Sequence, residues 1–394
     1  MSSESVHLPD PASLLGESRL PRVGTTIFTV MSALAARCKA INLGQGFPDF
    51  DCDPALVEAV SEAMRAGHNQ YPPMAGMPVL RQAVADKIAR MTGHRYDPDT
   101  EITITAGATQ GILSSVLAVV HPGDEVIVLE PCYDSYGPSI ELAGGRIVRV
   151  PLRPGTWHPD FQAIGRALTP RTRLVIINTP HNPSGTVWSP DELRTLAELL
   201  RPTRALVLSD EVYEHMVYDG VAHASCSGLP ELAARSLVIS SFGKTFHVTG
   251  WKVGYVAAPP ALTSEFRKVH QFNVFTVNTP MQMGIARYLA DPAPWQALAG
   301  FYQAKRDRFR AGLASTRLRL LPCEGSYFQC VDYSAISDRA DQAFCEWLTS
   351  EIGVAAIPMS AFYENAPTDQ RVIRFCFAKK EDTLDAALAR LAAV

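Results

Sequence analysis

Short runs of β-branched and aliphatic residues alternate with amphipathic helical patterns along most of the chain. The runs are Glu101-Ile102-Thr103-Ile104-Thr105, Glu125-Val126-Ile127-Val128-Leu129, Arg146-Ile147-Val148-Arg149-Val150, Leu174-Val175-Ile176-Ile177, Ala205-Leu206-Val207-Leu208 and Ser236-Leu237-Val238-Ile239-Ser240. Several are apolar at consecutive positions, as in strands covered on both faces. Between many of them lie helical patterns. In Pro54 to Met64, Asp53 can cap, Pro54 suits the first turn, and Leu56, Val60 and Met64 share one face. A further helical pattern starts at about Gln110. The alternation predicts an α/β sheet with helices on both faces.

From about Asp291 the pattern changes. A long charged helix pattern begins near Trp295 and runs past Arg310, short strands and helices follow, and an amphipathic segment closes the chain at Glu381 to Leu391. This predicts a second, smaller α+β domain. The N-terminal segment has several prolines and glycines and weak periodicity, so it reads as an arm. The expected divisions are an arm over 1–45 that joins the small domain, a large cofactor-binding domain over 46–290 and the small domain over 291–394.

A chain of 394 residues is long for one core, which agrees with two domains. The net charge of −4 provides no basic field to attract nucleic acid. The apolar runs are too short to span a bilayer. The eight cysteines are dispersed and form no C-x-x-C pair, which suggests bystander thiols in a reducing compartment. The opening Met1-Ser2-Ser3-Glu4-Ser5 lacks a basic stretch followed by an apolar one, so a cytoplasmic location is expected.

The chemistry gathers at strand ends. Lys244, in Ser241-Phe242-Gly243-Lys244-Thr245, follows an apolar strand and precedes a Gly-containing turn. A partly desolvated lysine there has a lowered pKa and can attack a carbonyl. Two other motifs overlap it. S-x-x-K of the serine acyl-enzymes needs S-D-N and K-T-G triplets, and the chain has neither. A phosphate-binding P-loop needs a glycine where Val238 stands.

Asp210 ends the run Ala205 to Ser209, where ligands of open α/β sheets bind. A carboxylate there either pairs with a protonated ring nitrogen or caps a helix. Asp210, Glu211, Glu214 and His215 match no metal-ligand spacing, so no metal is expected. Asn182, in Asn-Pro-Ser-Gly, sits in a turn after the strand Leu174 to Ile177. With Tyr213 it could bond a phenolic ring oxygen. Ala106-Gly107-Ala108-Thr109 joins a strand to a helix, where small residues let backbone N–H groups approach a phosphate. Ser241 and Lys252 would complete that cradle. Tyr133, in Glu130-Pro131-Cys132-Tyr133, either stacks on a ring or packs in the core.

The order of these motifs, ending at Arg374 in Val372-Ile373-Arg374-Phe375, resembles the class I aminotransferases, pyridoxal-phosphate (PLP) enzymes of fold type I. Ile41-Asn42-Leu43-Gly44-Gln45-Gly46-Phe47-Pro48-Asp49-Phe50 resembles their methionine aminotransferase and kynurenine–glutamine transaminase subgroup. The resemblance implies a large domain with a seven-stranded, mostly parallel sheet sandwiched by helices, plus a smaller α+β domain. It implies PLP as cofactor, carried on Lys244. Asp210 would hold the ring nitrogen, Asn182 and Tyr213 the ring oxygen, and Tyr133 would stack. Ala108, Thr109, Ser241 and Lys252 would bind the phosphate. Tyr71 would reach the phosphate of the neighbouring subunit in a homodimer with shared active sites. Arg374 would clamp the substrate α-carboxylate, helped by Gly44 and Asn182.

Phe28, Tyr71, Phe275 and Thr276 would line the side-chain pocket. Thr276 stands where kynurenine-type relatives tend to have histidine, and no arginine lies between Lys268 and Arg287 to pair with a side-chain carboxylate. The expected reaction is ping-pong transfer of an amino group from methionine or a large neutral or aromatic amino acid to a 2-oxo acid. Its rivals are a β-lyase acting on cysteine S-conjugates or cystathionine, and a non-catalytic PLP-binding regulator. The regulator would carry a basic DNA-binding extension that is missing here.

Overall fold

The computed structural model describes residues 14–394, and the opening Met1–Ser5 read above lies outside them. Its main sheet has seven strands: β2 (Ile102–Thr105), β3 (Glu125–Glu130), β4 (Arg146–Pro151), β5 (Thr172–Asn178), β6 (Leu206–Asp210), β7 (Ser236–Ser241) and β8 (Gly254–Ala257), in the order β2-β8-β7-β6-β5-β3-β4. All neighbouring pairs are parallel except those of β8, which runs antiparallel between β2 and β7. Alternate strand residues enter two separate cores. Ile127, Val175, Val207 and Val238 face one, while Val126, Leu174, Leu208 and Ile239 face the other. A period of two with both faces buried produces the continuous apolar runs.

β8 was not foreseen. It is short, and Gly254-Tyr255-Val256-Ala257 carries little β-branched signal. Its first residue pairs with both Thr105 and Ser241. A Cβ on Gly254 would lie 2.6 Å from the Ser240 carbonyl and 3.2 Å from the Ala108 nitrogen, so only glycine permits this approach. That closeness brings Lys252, two residues earlier, to the end of the sheet where β2 and β7 finish.

The C-terminal part forms a four-stranded antiparallel sheet from β9 (Arg319–Leu320), β10 (Phe328–Asp332), β12 (Ile357–Pro358) and β13 (Val372–Cys376), in the order β12-β13-β10-β9. β1 (Ile41–Asn42) pairs in parallel with β11 (Val354–Ala355), so the N-terminal segment joins this C-terminal unit.

The N-terminal segment contains a helix, Ile27–Cys38, capped by Thr26 and packed through Met31 and Ala35. Its apolar stripe is narrow, which kept the periodicity weak. In the helix Pro54–Arg65, Asp53 caps and Leu56 and Val60 are buried, but Met64 is 45% exposed. Eight residues is more than two turns, and the drift carries position 64 off the buried stripe. The helix expected from about Gln110 begins at Gly107, and Glu381–Leu391 is helical as expected. Among the described residues no helix is long and apolar enough to cross a membrane. All eight cysteines are free thiols.

Candidate active site

The carboxyl ends of β5, β6 and β7 lie side by side, with Asn178 opposite Asp210 and Asp210 opposite Ile239. Above them opens a cavity of about 410 Å³. Phe28, Ala108, Thr109, Tyr133, Asn182, Asp210, Tyr213, Ser241, Lys244, Lys252 and Arg374 all line it, as do Gln45, Gly46 and Phe328.

Lys244 stands on the turn that ends β7. Its Nζ donates to the Tyr327 hydroxyl at 2.8 Å and to the Gly46 carbonyl at 3.1 Å. Burial pushes its pKa down to about 8, and the cations of Lys252 and Arg374 add to the effect. Near neutral pH a useful fraction of the amine is therefore uncharged and nucleophilic.

Asp210 is buried at the end of β6 and accepts a 2.7 Å hydrogen bond from the Tyr136 hydroxyl. Tyr136 was missed in the sequence, where its three-residue spacing from Tyr133 was the only signal. The backbone N–H of Val212 also reaches the Asp210 carboxylate, at 3.3 Å. Asn178 ties this end to the next, donating to the Asp210 carbonyl and accepting from the Asn182 N–H, both at 2.8 Å.

Burial raises the Asp210 carboxyl from 3.8 to about 6, against the lowering pull of Tyr136. A carboxyl raised in the folded chain stabilises it most at pH values below the ordinary range. That contribution is lost as pH rises through the folded value. With no ligand bound, this group should cost the fold about 2–3 kcal/mol between about pH 4 and pH 7. Asp210→Asn should flatten this part of the stability profile relative to the parent chain. Chemical denaturation at both pH values measures it, and equal slopes for the two proteins would refute the prediction.

Arg374 comes from β13, on the smaller sheet, and its side chain is fully buried. One terminal nitrogen donates to Asn182 Oδ1 at 2.6 Å and the other to the Gly44 carbonyl at 3.0 Å. The guanidinium lies 3.9 Å from the Phe328 ring centroid, with Phe362 at 4.9 Å and Phe28 at 5.5 Å. Its Nε is buried with no hydrogen-bond partner among the described residues. An oriented cation with an unused donor suits an incoming carboxylate.

The other end of the cavity suits a phosphate. The helix Gly107–Val119 begins there with no side-chain cap, which leaves its first N–H groups available. A Cβ on Gly107 would lie 3.1 Å from Lys252 Nζ, in space that the glycine leaves open. Thr109 and Ser241 flank it. Asp210, a buried carboxylate, lines the same cavity. The set fits pyridoxal phosphate: a phosphate end, an anion for a ring nitrogen, donors for a ring oxygen and an amine. Asn182 and Tyr213 would supply those donors.

Four expected residues do not line this cavity. Tyr71 is 81% exposed and packs edge-on against Phe275, itself 46% exposed, with ring centroids 5.4 Å apart; Thr276 adjoins them. Gly44 acts through its carbonyl alone. Tyr327 and Phe328 were missed because two adjacent aromatic residues at the start of a strand look like ordinary core.

Comparison with known proteins gives the family. The profile of the family described as aminotransferase class I and II matches residues 39–391. The chain is 50% identical to the methionine aminotransferase of Escherichia coli over 379 residues, covering 96% of this chain and 98% of that one. An E. coli structure reported with a methionine aminotransferase function superposes with a TM-score of 0.95 at 50% identity, over 96% of this chain and 100% of that one. The N-succinyldiaminopimelate aminotransferase structure of Mycobacterium tuberculosis gives a TM-score of 0.93 at 43% identity, over 96% of this chain and 100% of that one. Human kynurenine–oxoglutarate transaminase 1 is 35% identical over 410 residues, covering 95% of this chain and 97% of it.

Proposed function

The chain belongs to the class I and II aminotransferase family, whose members use pyridoxal phosphate, and from that premise we propose that it transfers amino groups from methionine and other large neutral or aromatic amino acids to a 2-oxo acid. It is a transaminase of fold type I, similar to methionine and kynurenine aminotransferases. The relatives named above are transaminases and lend no support to the β-elimination reading. The observation that carries the site assignment is the lowered-pKa amine of Lys244 between a buried carboxylate, Asp210, and a buried guanidinium, Arg374.

When bound, pyridoxal phosphate supplies an electron sink and a temporary carrier for the amino group. The chain's own groups hold and aim. Arg374 takes the α-carboxylate of each substrate in turn, so donor and acceptor use one position in a ping-pong sequence. Asp210 would hold a ring-nitrogen proton, and Asn182 and Tyr213 would donate to the ring oxygen. Tyr133 would cover a ring face. Ala108, Thr109, Ser241 and Lys252 would hold the phosphate. Lys244 takes the Cα proton on Nζ and gives it up again from the same atom.

Tyr71, Phe275 and Thr276 belong to this reading as residues lent to a neighbouring copy of the chain. The exposure of the Tyr71–Phe275 pair supports it, as does that of Lys252 and Thr109 at the mouth of the cavity. Phe28 packs beside Arg374 and would touch the substrate side chain. This lining has no cation free for a side-chain carboxylate. A buried, unpaired carboxylate costs several kcal/mol. Aspartate should therefore be at least ~100-fold poorer than methionine in kcat/KM. Amino-donor panels with product detection test this, and equal rates for the two would refute the pocket assignment while leaving the chemistry standing.

A further inference from the structure

Lys244 is held from outside its own strand. Its Nζ lies 2.8 Å from the Tyr327 hydroxyl and 3.1 Å from the Gly46 carbonyl, and the Tyr327 hydroxyl donates to that same carbonyl at 2.6 Å. These bonds close a triangle. Tyr327 comes from the segment leading into β10, and Gly46 from the segment following β1.

Each corner is fixed. The Tyr327 side chain is wholly buried, edge-on to Tyr213 at 5.1 Å and to Phe328 at 4.9 Å, so its hydroxyl cannot swing away. Burial, followed by the neighbouring Tyr213, pushes its ionisation well above the ordinary range. It therefore stays protonated, and its single hydrogen is committed to Gly46. Toward Lys244 it can only accept. Gly46 is fixed as well. A Cβ there would lie 3.0 Å from Phe328, and the flanking carbonyl of Phe47 accepts from Lys379 Nζ at 2.8 Å.

Resting on the reading of Lys244 given above, we propose that Tyr327 is a further catalytic residue: with the Gly46 carbonyl, it holds the ε-amine of Lys244 in place whenever that amine is free. A lysine stem is long and flexible, and an amine released from a covalent bond would otherwise sample much of the cavity. When Nζ carries the proton taken from the substrate, two of its three N–H groups point at Tyr327 and Gly46. The third is left to face the reacting atoms. Tyr327 neither gains nor loses a proton in this step.

The test uses the cofactor-free and the loaded protein. In the cofactor-free chain, acylation of Lys244 is followed against pH by peptide mass spectrometry. Tyr327→Phe removes one acceptor for the ammonium, so the apparent pKa of Lys244 should fall by roughly one unit. In the loaded enzyme, kcat should fall about 30-fold with KM changed less than about two-fold, because aim is lost and binding is not. Tyr302→Phe is the control. Tyr302 packs against the Tyr327 ring at 5.8 Å, and its own buried hydroxyl has no partner. It should move neither readout. If Tyr327→Phe does not fold, 3-fluorotyrosine at position 327, a weaker acceptor of the same shape, should shift the Lys244 titration in the same direction.

An unchanged Lys244 titration in Tyr327→Phe overturns the inference, as does an equal shift in Tyr302→Phe. Borohydride reduction of the loaded protein separates this failure from that of the underlying reading. A label on another lysine removes Lys244 itself, whereas a label on Lys244 with an unmoved titration removes only Tyr327.

Discussion

Lys244→Ala should abolish transamination, lowering kcat by at least about 10⁴-fold, because one group is both the covalent anchor and the proton carrier. The structure offers no substitute at that point. Lys252 also lines the cavity, but at the end bounded by Gly107, whose Cβ position is 3.1 Å from Lys252 Nζ. The remaining cation, Arg374, is pinned to Asn182 and the Gly44 carbonyl. The variant should still fold, because a half-buried amine is removed from the edge of a cavity and no core volume is lost. Borohydride reduction of the parent followed by peptide mapping should place the cofactor on Lys244. Mixing Lys244→Ala with Tyr71→Ala subunits should restore part of the activity, since one hybrid site of a shared dimer carries both parent residues. A fully active monomer in sedimentation, or label on a different lysine, would count against the assignment.

Arg374→Lys should raise the Michaelis constant for every amino acid and every 2-oxo acid alike, by about 30- to 150-fold, with a much smaller effect on kcat. The guanidinium is planar and presents a fork, and two of its nitrogens are already oriented by Asn182 at 2.6 Å and Gly44 at 3.0 Å. Lysine keeps the charge but loses the paired geometry and the stacking on Phe328. Losing a charge-assisted bidentate contact costs roughly 2–3 kcal/mol, which sets the size of the change. Because the α-carboxylate is common to all substrates, the ranking among side chains should not move. Substitutions at Thr276 should change that ranking instead. A variant at Arg374 that discriminates between methionine and phenylalanine as donors would contradict this division of labour.

The two effects have different origins in the fold. Asn178 and Asp210 end adjacent parallel strands, and Lys244 stands on the turn just after the next strand, β7. Arg374 belongs to the antiparallel sheet of the C-terminal part, and its partners Asn182 and Gly44 lie 192 and 330 residues away along the chain. A shift of the smaller unit relative to the main sheet would therefore affect substrate capture and, through Tyr327 and Gly46, the hold on the Lys244 amine together.

Strand positions were legible because burial on both faces leaves a continuous apolar run, as in β3, β5, β6 and β7. The residue types at their ends were legible too. A lysine, an aspartate and an asparagine placed just beyond apolar strands point to ligand chemistry, because that edge of an open sheet is where backbone and side-chain groups stay unpaired. The motif order then placed the chain among the aminotransferases. Local pattern could not reveal β8 or the helix Ile27–Cys38, since neither has a strong period.

Only the tertiary structure decided which groups meet. Tyr327 reaches Lys244 across 83 positions of chain and Gly46 across 281, and Tyr136 reaches Asp210 across 74. Periodicity records how one element faces the core, whereas these contacts depend on how separate elements dock. The lowered amine of Lys244 and the raised carboxyl of Asp210 follow from the same docking, since each shift is set first by burial. The sequence by itself determined the kinds of reactive group and the strand ends that carry them. The packing of the smaller sheet over the larger one determined their distances, their protonation and the residues that hold them.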